Sequence, residues 1–121
     1  MKILVVEDAE SIRVLITIYL NDSGHEIIEA RDGKQGLKIL NENHDIDVIL
    51  SDIHMPVMDG IEMLNNIKAD NKLNKIPVIM ITTETSGAAV DACREGGAKG
   101  FVVKPFEQDK LVQLIERVVG G

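Results

Sequence analysis

The chain has no tryptophan, one tyrosine and two phenylalanines. Tyr19, Phe101 and Phe106 are all it could stack against a flat cofactor such as a flavin. It has a single cysteine, Cys93, which excludes an internal disulfide and suits a reducing cytoplasm. No apolar run exceeds four residues, so nothing in it can span a bilayer. The opening Met1–Lys2, four apolar residues and then Glu7, is too short for a signal peptide. An excess of base is also missing. With 13 basic and 20 acidic residues, the net charge of −7 argues against general attraction to nucleic acid or to an anionic membrane. There is no repeat, low-complexity tract or Pro/Gly/Ser linker. The 121 residues therefore read as one domain, 1–121, large enough to bury a real core.

What is present is an alternation. Residues 2–7, 25–30, 47–51, 77–82 and 100–103 read as strands, most of them continuous Val/Ile-rich runs of the kind found in parallel sheets covered on both faces. The second run, His25 to Ala30, is more polar and suits an edge. Helical spacing fills the gaps: Ile12, Leu15, Ile16 and Tyr19; Gly33, Gly36, Leu37 and Leu40; Gly60, Met63, Leu64 and Ile67; Ala89, Ala92, Cys93 and Gly96; Leu111, Leu114, Ile115 and Val118. Asp59–Glu62 and Asp32–Gln35 have the spacing of N-terminal capping boxes. Gly24 and Gly96–Gly97 stand where helices should stop, and Pro77 opens a strand. The expected fold is α/β: a doubly wound, five-stranded parallel sheet with five helices. Pattern alone does not fix the strand order. The order 2-1-3-4-5 places the polar second strand at an edge and the very apolar third in the middle.

Four of the apolar runs end in a polar or charged residue. Ile3–Val6 leads to Glu7 and Asp8, Val48–Leu50 to Ser51 and Asp52, Val78–Ile81 to Thr82, and Phe101–Val103 to Lys104. In a parallel sheet these ends share one edge, where open α/β sheets bind ligands. Two carboxylates about 5 Å apart repel by roughly 3 kcal/mol at an effective dielectric of about 20. Gathering Glu7, Asp8 and Asp52 therefore requires either a bound divalent cation or a protonated carboxyl. Hard oxygen ligands favour Mg²⁺, with Mn²⁺ or Ca²⁺ also compatible. Lys104 would supply a point charge and Thr82 a hydroxyl for a phosphoryl group, and Asp52 could act as a nucleophile at phosphorus. Taken singly, each residue has a plainer role as helix cap, strand terminator or solvated charge. Taken together, each closing an apolar run, they point to phosphoryl chemistry. His25 and His44 lie too far along the chain to join the site and read as surface residues. Met55 and Met58 read as packing, Asp59 as a helix cap, and Cys93 as a small buried residue.

Ile3-Leu4-Val5-Val6-Glu7-Asp8, the stretch Asp52-Ile53-His54-Met55-Pro56-Val57-Met58-Asp59-Gly60, Thr82-Thr83-Glu84 and Phe101-Val102-Val103-Lys104-Pro105-Phe106 together resemble the receiver domain of two-component response regulators. The resemblance spans essentially all 121 residues and is nearest to stand-alone receivers of the CheY-like chemotaxis type. It implies the flavodoxin-like order 2-1-3-4-5, the order for which flavodoxin and CheY are the known examples. It also implies that Asp52 takes a phosphoryl group from a phosphohistidine on a histidine kinase or phosphotransfer protein. Mg²⁺ would be held by Asp8, Asp52 and the backbone carbonyl of His54, with Glu7 binding directly or through water. Lys104 would contact the phosphoryl group, with a cis peptide before Pro105. Thr82 and Phe101 would be the switch, and His54, Thr83 and Glu84 the rim of the site.

Phosphorylation adds about −1.5 to −2 charges. The expected consequence is that Thr82 and Lys104 draw in the segment Thr83–Ala89, which reads as loose. Phe101 then turns inward, and the face made by the fourth helix, fifth strand and last helix is reshaped for a downstream protein. Phe101 stands where chemotaxis relatives usually carry tyrosine, so it has no hydroxyl to offer that partner. The resemblance further implies a monomer that is no enzyme beyond its own phosphorylation and dephosphorylation. It allows a phosphatase as an additional partner and leaves no role for nucleic acid or membrane. With Gly120–Gly121 closing the sequence, no output domain is expected. A phosphorelay shuttle is the alternative within the family. Outside it, a flavodoxin-like electron carrier would need a Ser/Thr/Gly-rich loop where Glu7–Asp8 stands. An aspartyl-phosphate phosphatase would need D-x-D where the chain has Glu7-Asp8-Ala9.

Overall fold

The computed structural model describes residues 1–21 and 24–120, so Gly121 lies outside the described residues. In chain order the elements are β1 (Lys2–Val6), α1 (Glu10–Asn21), β2 (Glu26–Ala30), α2 (Gly33–Glu42), β3 (Val48–Asp52), α3 (Gly60–Ala69), β4 (Val78–Thr82), α4 (Gly87–Glu95), β5 (Gly100–Val103) and α5 (Gln108–Gly120). All four strand pairings are parallel, and the order is β2-β1-β3-β4-β5. The polar second strand is at an edge, as its composition indicates. β3 and β4 are buried over their whole length.

Side chains alternate across β1 and sort into two cores. Leu4 and Val6 join Ile49, Met80 and the inner faces of α2, α3 and α4. Ile3 and Val5 join Val48, Leu50, Ile79 and Ile81 beneath α1 and α5. The α3 face is buried at Gly60, Met63, Leu64 and Ile67, the four positions given by helical spacing. In α1 the deepest residues are Ile16 and Leu20, while Ile12, Leu15 and Tyr19 pack only partly against the core. The buried stripe is thus rotated toward Leu20. Tyr19 instead meets Phe106 edge to face, with ring centroids 5.8 Å apart.

Local chemistry sets where elements begin. Asp32, Asp59 and Ser86 accept backbone N–H bonds three residues on, from Gln35, Glu62 and Ala89, and so open α2, α3 and α4. The first two were legible as capping boxes; the Ser86 cap was not. It corrects the expectation that Thr83–Ala89 is loose throughout, because Gly87–Ala89 are already helical. Five strand limits shift by one residue: β2, β3 and β4 each begin one residue later than expected, and two strand ends move. Glu7 lies beyond β1, whereas Asp52 is the last residue of β3. Lys104–Pro105 is cis.

The segment between β3 and α3 is tightly tied. The Gly60 N–H donates to Ile53 O at 2.7 Å, and the Met58 carbonyl accepts from Gly33 N–H at 3.0 Å. Within it, Met58 N–H donates to Pro56 O at 2.7 Å around Val57, whose φ of 70° is a strained value for a β-branched residue. A methyl placed on Gly60 would sit 2.0 Å from the Asp52 carbonyl oxygen, a backbone atom that cannot swing aside. Gly60→Ala is therefore expected to lose about 3 kcal/mol or more in urea unfolding. Gly87→Ala, in open space at the start of α4, should be neutral or gain up to about 1 kcal/mol. Equal effects at the two positions would contradict this packing.

Candidate active site

The parallel register brings four chain ends to one edge. Val6 of β1 faces Ser51 of β3, Asp52 faces Ile81 of β4, and Thr82 faces Val103 of β5. One residue further, Glu7, Asp52, Thr82 and Lys104 converge. Glu7, Ser51, Asp52 and Thr82 are buried, while Asp8 is exposed. Oxygen atoms of Glu7, Asp8 and Asp52 lie within 4.8 Å of one another.

Lys104 holds the centre. Its Nζ donates to Glu7 Oε1 at 2.5 Å and to Asp52 Oδ2 at 3.0 Å, with only 15% of its side chain exposed. The other oxygens are spoken for by backbone. Ile53 N–H donates to Asp52 Oδ1 at 2.7 Å, and Ala9 N–H donates to Glu7 Oε2 at 3.0 Å. Burial by itself would lower the Lys104 pKa, but the bonds and charges of Glu7 and Asp52 outweigh it and hold the ammonium above its ordinary value. Burial pushes the Glu7 carboxyl up, an effect that Lys104 and the Ala9 N–H partly oppose.

The rim closes over this centre. His54, just past β3, pairs through Nε2 with Glu84 Oε2, and Glu84 Oε1 accepts from Ser86 Oγ at 3.1 Å. These contacts set the Glu84 pKa below the usual carboxylate range, the His54 bond being the largest cause. Thr83 is exposed beside them. Thr82 is fully buried, and its Oγ accepts from Glu84 N–H at 3.1 Å, tying the hydroxyl to the rim loop. Phe101 is half-buried against the core on the α2–α4 side. The remaining candidates fall out as read from the sequence: Met55 and Met58 pack against that core, Asp59 caps α3, and Cys93 is buried, its thiol pKa raised mainly by desolvation. His44 is exposed; His25 is half-buried and meets the N-terminal amine at 3.1 Å, so it is less superficial than expected.

Sequence reasoning did not find Arg13. From α1, its Nη1 donates to the carbonyls of Glu7 at 2.7 Å and Asp8 at 3.2 Å. A signal did exist: a cation in the first turn of a helix opposes the macrodipole, which marks a residue retained for a specific contact.

The donor set fits a hard divalent cation. Three carboxylates converge, and the Asp8 side chain is exposed. The site has a nucleophile-competent carboxylate, an ammonium beside it and a hydroxyl at the next strand end, a combination suited to phosphoryl transfer. Removing the ammonium should expose the cost of the cluster. Lys104→Met leaves Glu7 and Asp52 unpaired and is expected to lose about 3 kcal/mol at pH 7. Glu7 has a raised folded-state pKa, so its protonated form favours the fold at low pH and that advantage is lost as pH rises through the folded value. Urea unfolding near pH 4.5 should therefore show a smaller Lys104→Met penalty than at pH 7; a pH-independent penalty would contradict the assignment.

Comparison with known proteins agrees with this arrangement. Residues 3–116 match the sequence profile of the response regulator receiver domain. A chemotaxis protein CheY homolog of Campylobacter jejuni subsp. jejuni is 36% identical over 121 residues, covering 99% of this chain and 93% of the relative. Chemotaxis protein CheY1 of Helicobacter pylori is 37% identical, covering 99% and 98%. Among solved structures, chemotaxis protein CheY4 of Vibrio cholerae superimposes with a TM-score of 0.90 at 37% identity, covering 97% of each chain. The receiver domain of sensor histidine kinase PA1611 from Pseudomonas aeruginosa PAO1, described with a magnesium ion coordinated in its active site cleft, gives a TM-score of 0.91 at 27% identity over 99% and 98%. With its sheet order, its edge of carboxylates around Lys104 and this match along nearly its whole length, the chain belongs to the response regulator receiver domain family.

Proposed function

We propose that this protein is a phosphorylation-driven signalling switch of the chemotaxis type, with Asp52 as phosphoacceptor. The observation that carries the reading is the pairing of Asp52 Oδ2 with the Lys104 ammonium at 3.0 Å, beside two further carboxylates. Oδ1 is pinned by the Ile53 N–H, so Oδ2 is the atom turned toward an incoming phosphorus. The donor is a phosphohistidine on a histidine kinase or phosphotransfer protein. A bond forms between Oδ2 and phosphorus as the phosphorus–nitrogen bond to histidine breaks, and Lys104 passes from the carboxylate oxygen to a phosphoryl oxygen.

Asp8, Asp52 and the His54 carbonyl are the residues to hold Mg²⁺. When bound, the ion would supply positive charge to the transferring oxygens. Glu7, with both oxygens engaged by Lys104 and Ala9, is better placed to act through water than as a direct ligand. The chain acts on no other substrate; its chemistry is its own phosphorylation and hydrolysis. His54 and Glu84 bridge the mouth and restrict the approach of water and donor.

The signal leaves through Thr82. Its hydroxyl now accepts from Glu84 N–H; turning to donate to a phosphoryl oxygen pulls on the rim loop and on α4 behind it. Phe101 borders an open pocket with Val90, Cys93 and Arg94 between α4 and β5, so its ring sits where a shift of α4 would be felt. The α4–β5–α5 face is then the surface read by a downstream protein. Shifting such a two-state equilibrium from 1:99 to 99:1 takes about 5.5 kcal/mol, an energy a few charge-assisted phosphate contacts can supply.

Incubation with acetyl phosphate and Mg²⁺ is expected to give a hydroxylamine-labile adduct that is absent in Asp52→Asn and absent when the metal is chelated. Equal labelling of the variant would remove Asp52 as the acceptor. Thr82→Ala should still be labelled, with loss of the phosphorylation-dependent amide shifts in α4 and β5 by NMR. Unchanged shifts in that variant would overturn the relay through Thr82.

A further inference from the structure

Among the described residues, Arg13 is the one long cation that grips the β1–α1 turn by its backbone. Its guanidinium is a fork with three engaged positions: Nη1 to Glu7 O and Asp8 O, and Nε to Glu29 Oε1 on β2 at 3.1 Å. The side chain is 13% exposed. Among the described residues no other donor reaches either carbonyl. Immobilising an arginine costs up to about 2 kcal/mol of rotamer freedom, and this one also stands in the first turn of α1, against the helix dipole. A surface ion pair with Glu29 alone offsets little of that.

The two gripped carbonyls belong to the two residues whose carboxylates enter the site. Glu7 is further fixed through its side chain, by Lys104 and by Ala9 N–H. Asp8 has no such anchor, and its exposed carboxylate can face Asp52 only as well as its backbone is oriented. We propose that Arg13 is the positioning residue of the cation site. It locks the Glu7–Asp8 peptide so that the Asp8 carboxylate stays within reach of Asp52. Glu29 cancels the guanidinium charge, which would otherwise repel the ion the site is built to hold. This rests on the divalent-cation reading given above.

Mg²⁺ titration of the full chain, followed by ¹⁵N amide shifts of residues 7–9 and 52–54, separates the two claims. Wild type should saturate. If it does not, the cation reading itself fails and this inference falls with it. Given saturation, Arg13→Ala is expected to weaken Mg²⁺ binding about tenfold. Arg13→Lys keeps the charge but cannot bridge two carbonyls and a carboxylate together, so it should recover little of that loss. Glu29→Gln, which leaves the carbonyl bonds in place, should weaken binding only about twofold and make it more salt-dependent. Wild-type affinity in Arg13→Ala, or full recovery in Arg13→Lys, would overturn the proposal. Should Arg13→Ala fail to fold, Arg13→Lys decides: it keeps the stem packing, and a wild-type Mg²⁺ affinity there would refute the positioning role.

Discussion

The organising constraint is electrostatic crowding at one edge of a parallel sheet. Register alone forces the ends of β1 and β3 together, and both ends are acidic. Water cannot screen the pair well, because Glu7 and Asp52 are buried. Lys104, arriving from β5 across two intervening strands' worth of sheet, compensates by donating to both. The fold therefore contains a site whose charges are balanced only provisionally: one ammonium bonds two carboxylates, and a third lies beside them. Such an arrangement responds to any change in charge at Asp52, because altering one partner redistributes the lysine among the rest.

The two cores treat this edge differently. Beneath α1 and α5, large aliphatic side chains interdigitate with β1, β3 and β4. On the other face α2, α3 and α4 come close through small residues. A methyl on Gly36 would meet Met63 Sδ at 3.0 Å, and one on Gly96 would meet Leu64 Cδ2 at 2.5 Å. The tight segment from Ile53 to Gly60 runs between the site and this second face, tied at both ends by backbone bonds. The residues after β4 have fewer ties: a Ser86 cap, the Glu84–His54 pair and the Thr82 hydroxyl. Rigid backbone on one side of the site and side-chain latches on the other give the asymmetry a switch requires.

Much of this was legible because burial leaves periodic traces. Continuous Val/Ile runs marked β3 and β4, and spacing of three and four marked the α3 face residue for residue. Terminal polar residues marked the edge where the site lies. What was not legible depends on side chains reaching across tertiary space. The Arg13 fork spans α1, the β1–α1 turn and β2; its charge near the start of α1 is a local sign of it, but its partners are not readable from spacing. Ser86 looked like part of a flexible Ser-Gly stretch, because a cap and a loop use the same residue. Leu20 was passed over because Tyr19 fits the helical period; the α1 stripe turns past it toward the sheet. Strand ends moved by one residue, since polarity signals the end of burial and not the last ladder bond.

The scarcity of aromatics takes on a different meaning once the rings are placed. Tyr19, the single phenol, lies edge-on to Phe106, and Phe106 follows Lys104 by two residues on the same strand exit. With no indole to mask it, the tyrosine signal of the folded chain comes from the core beneath α1 and α5, where Tyr19 packs against Phe106. The molecule thus carries an intrinsic optical reporter seated in one of its two cores.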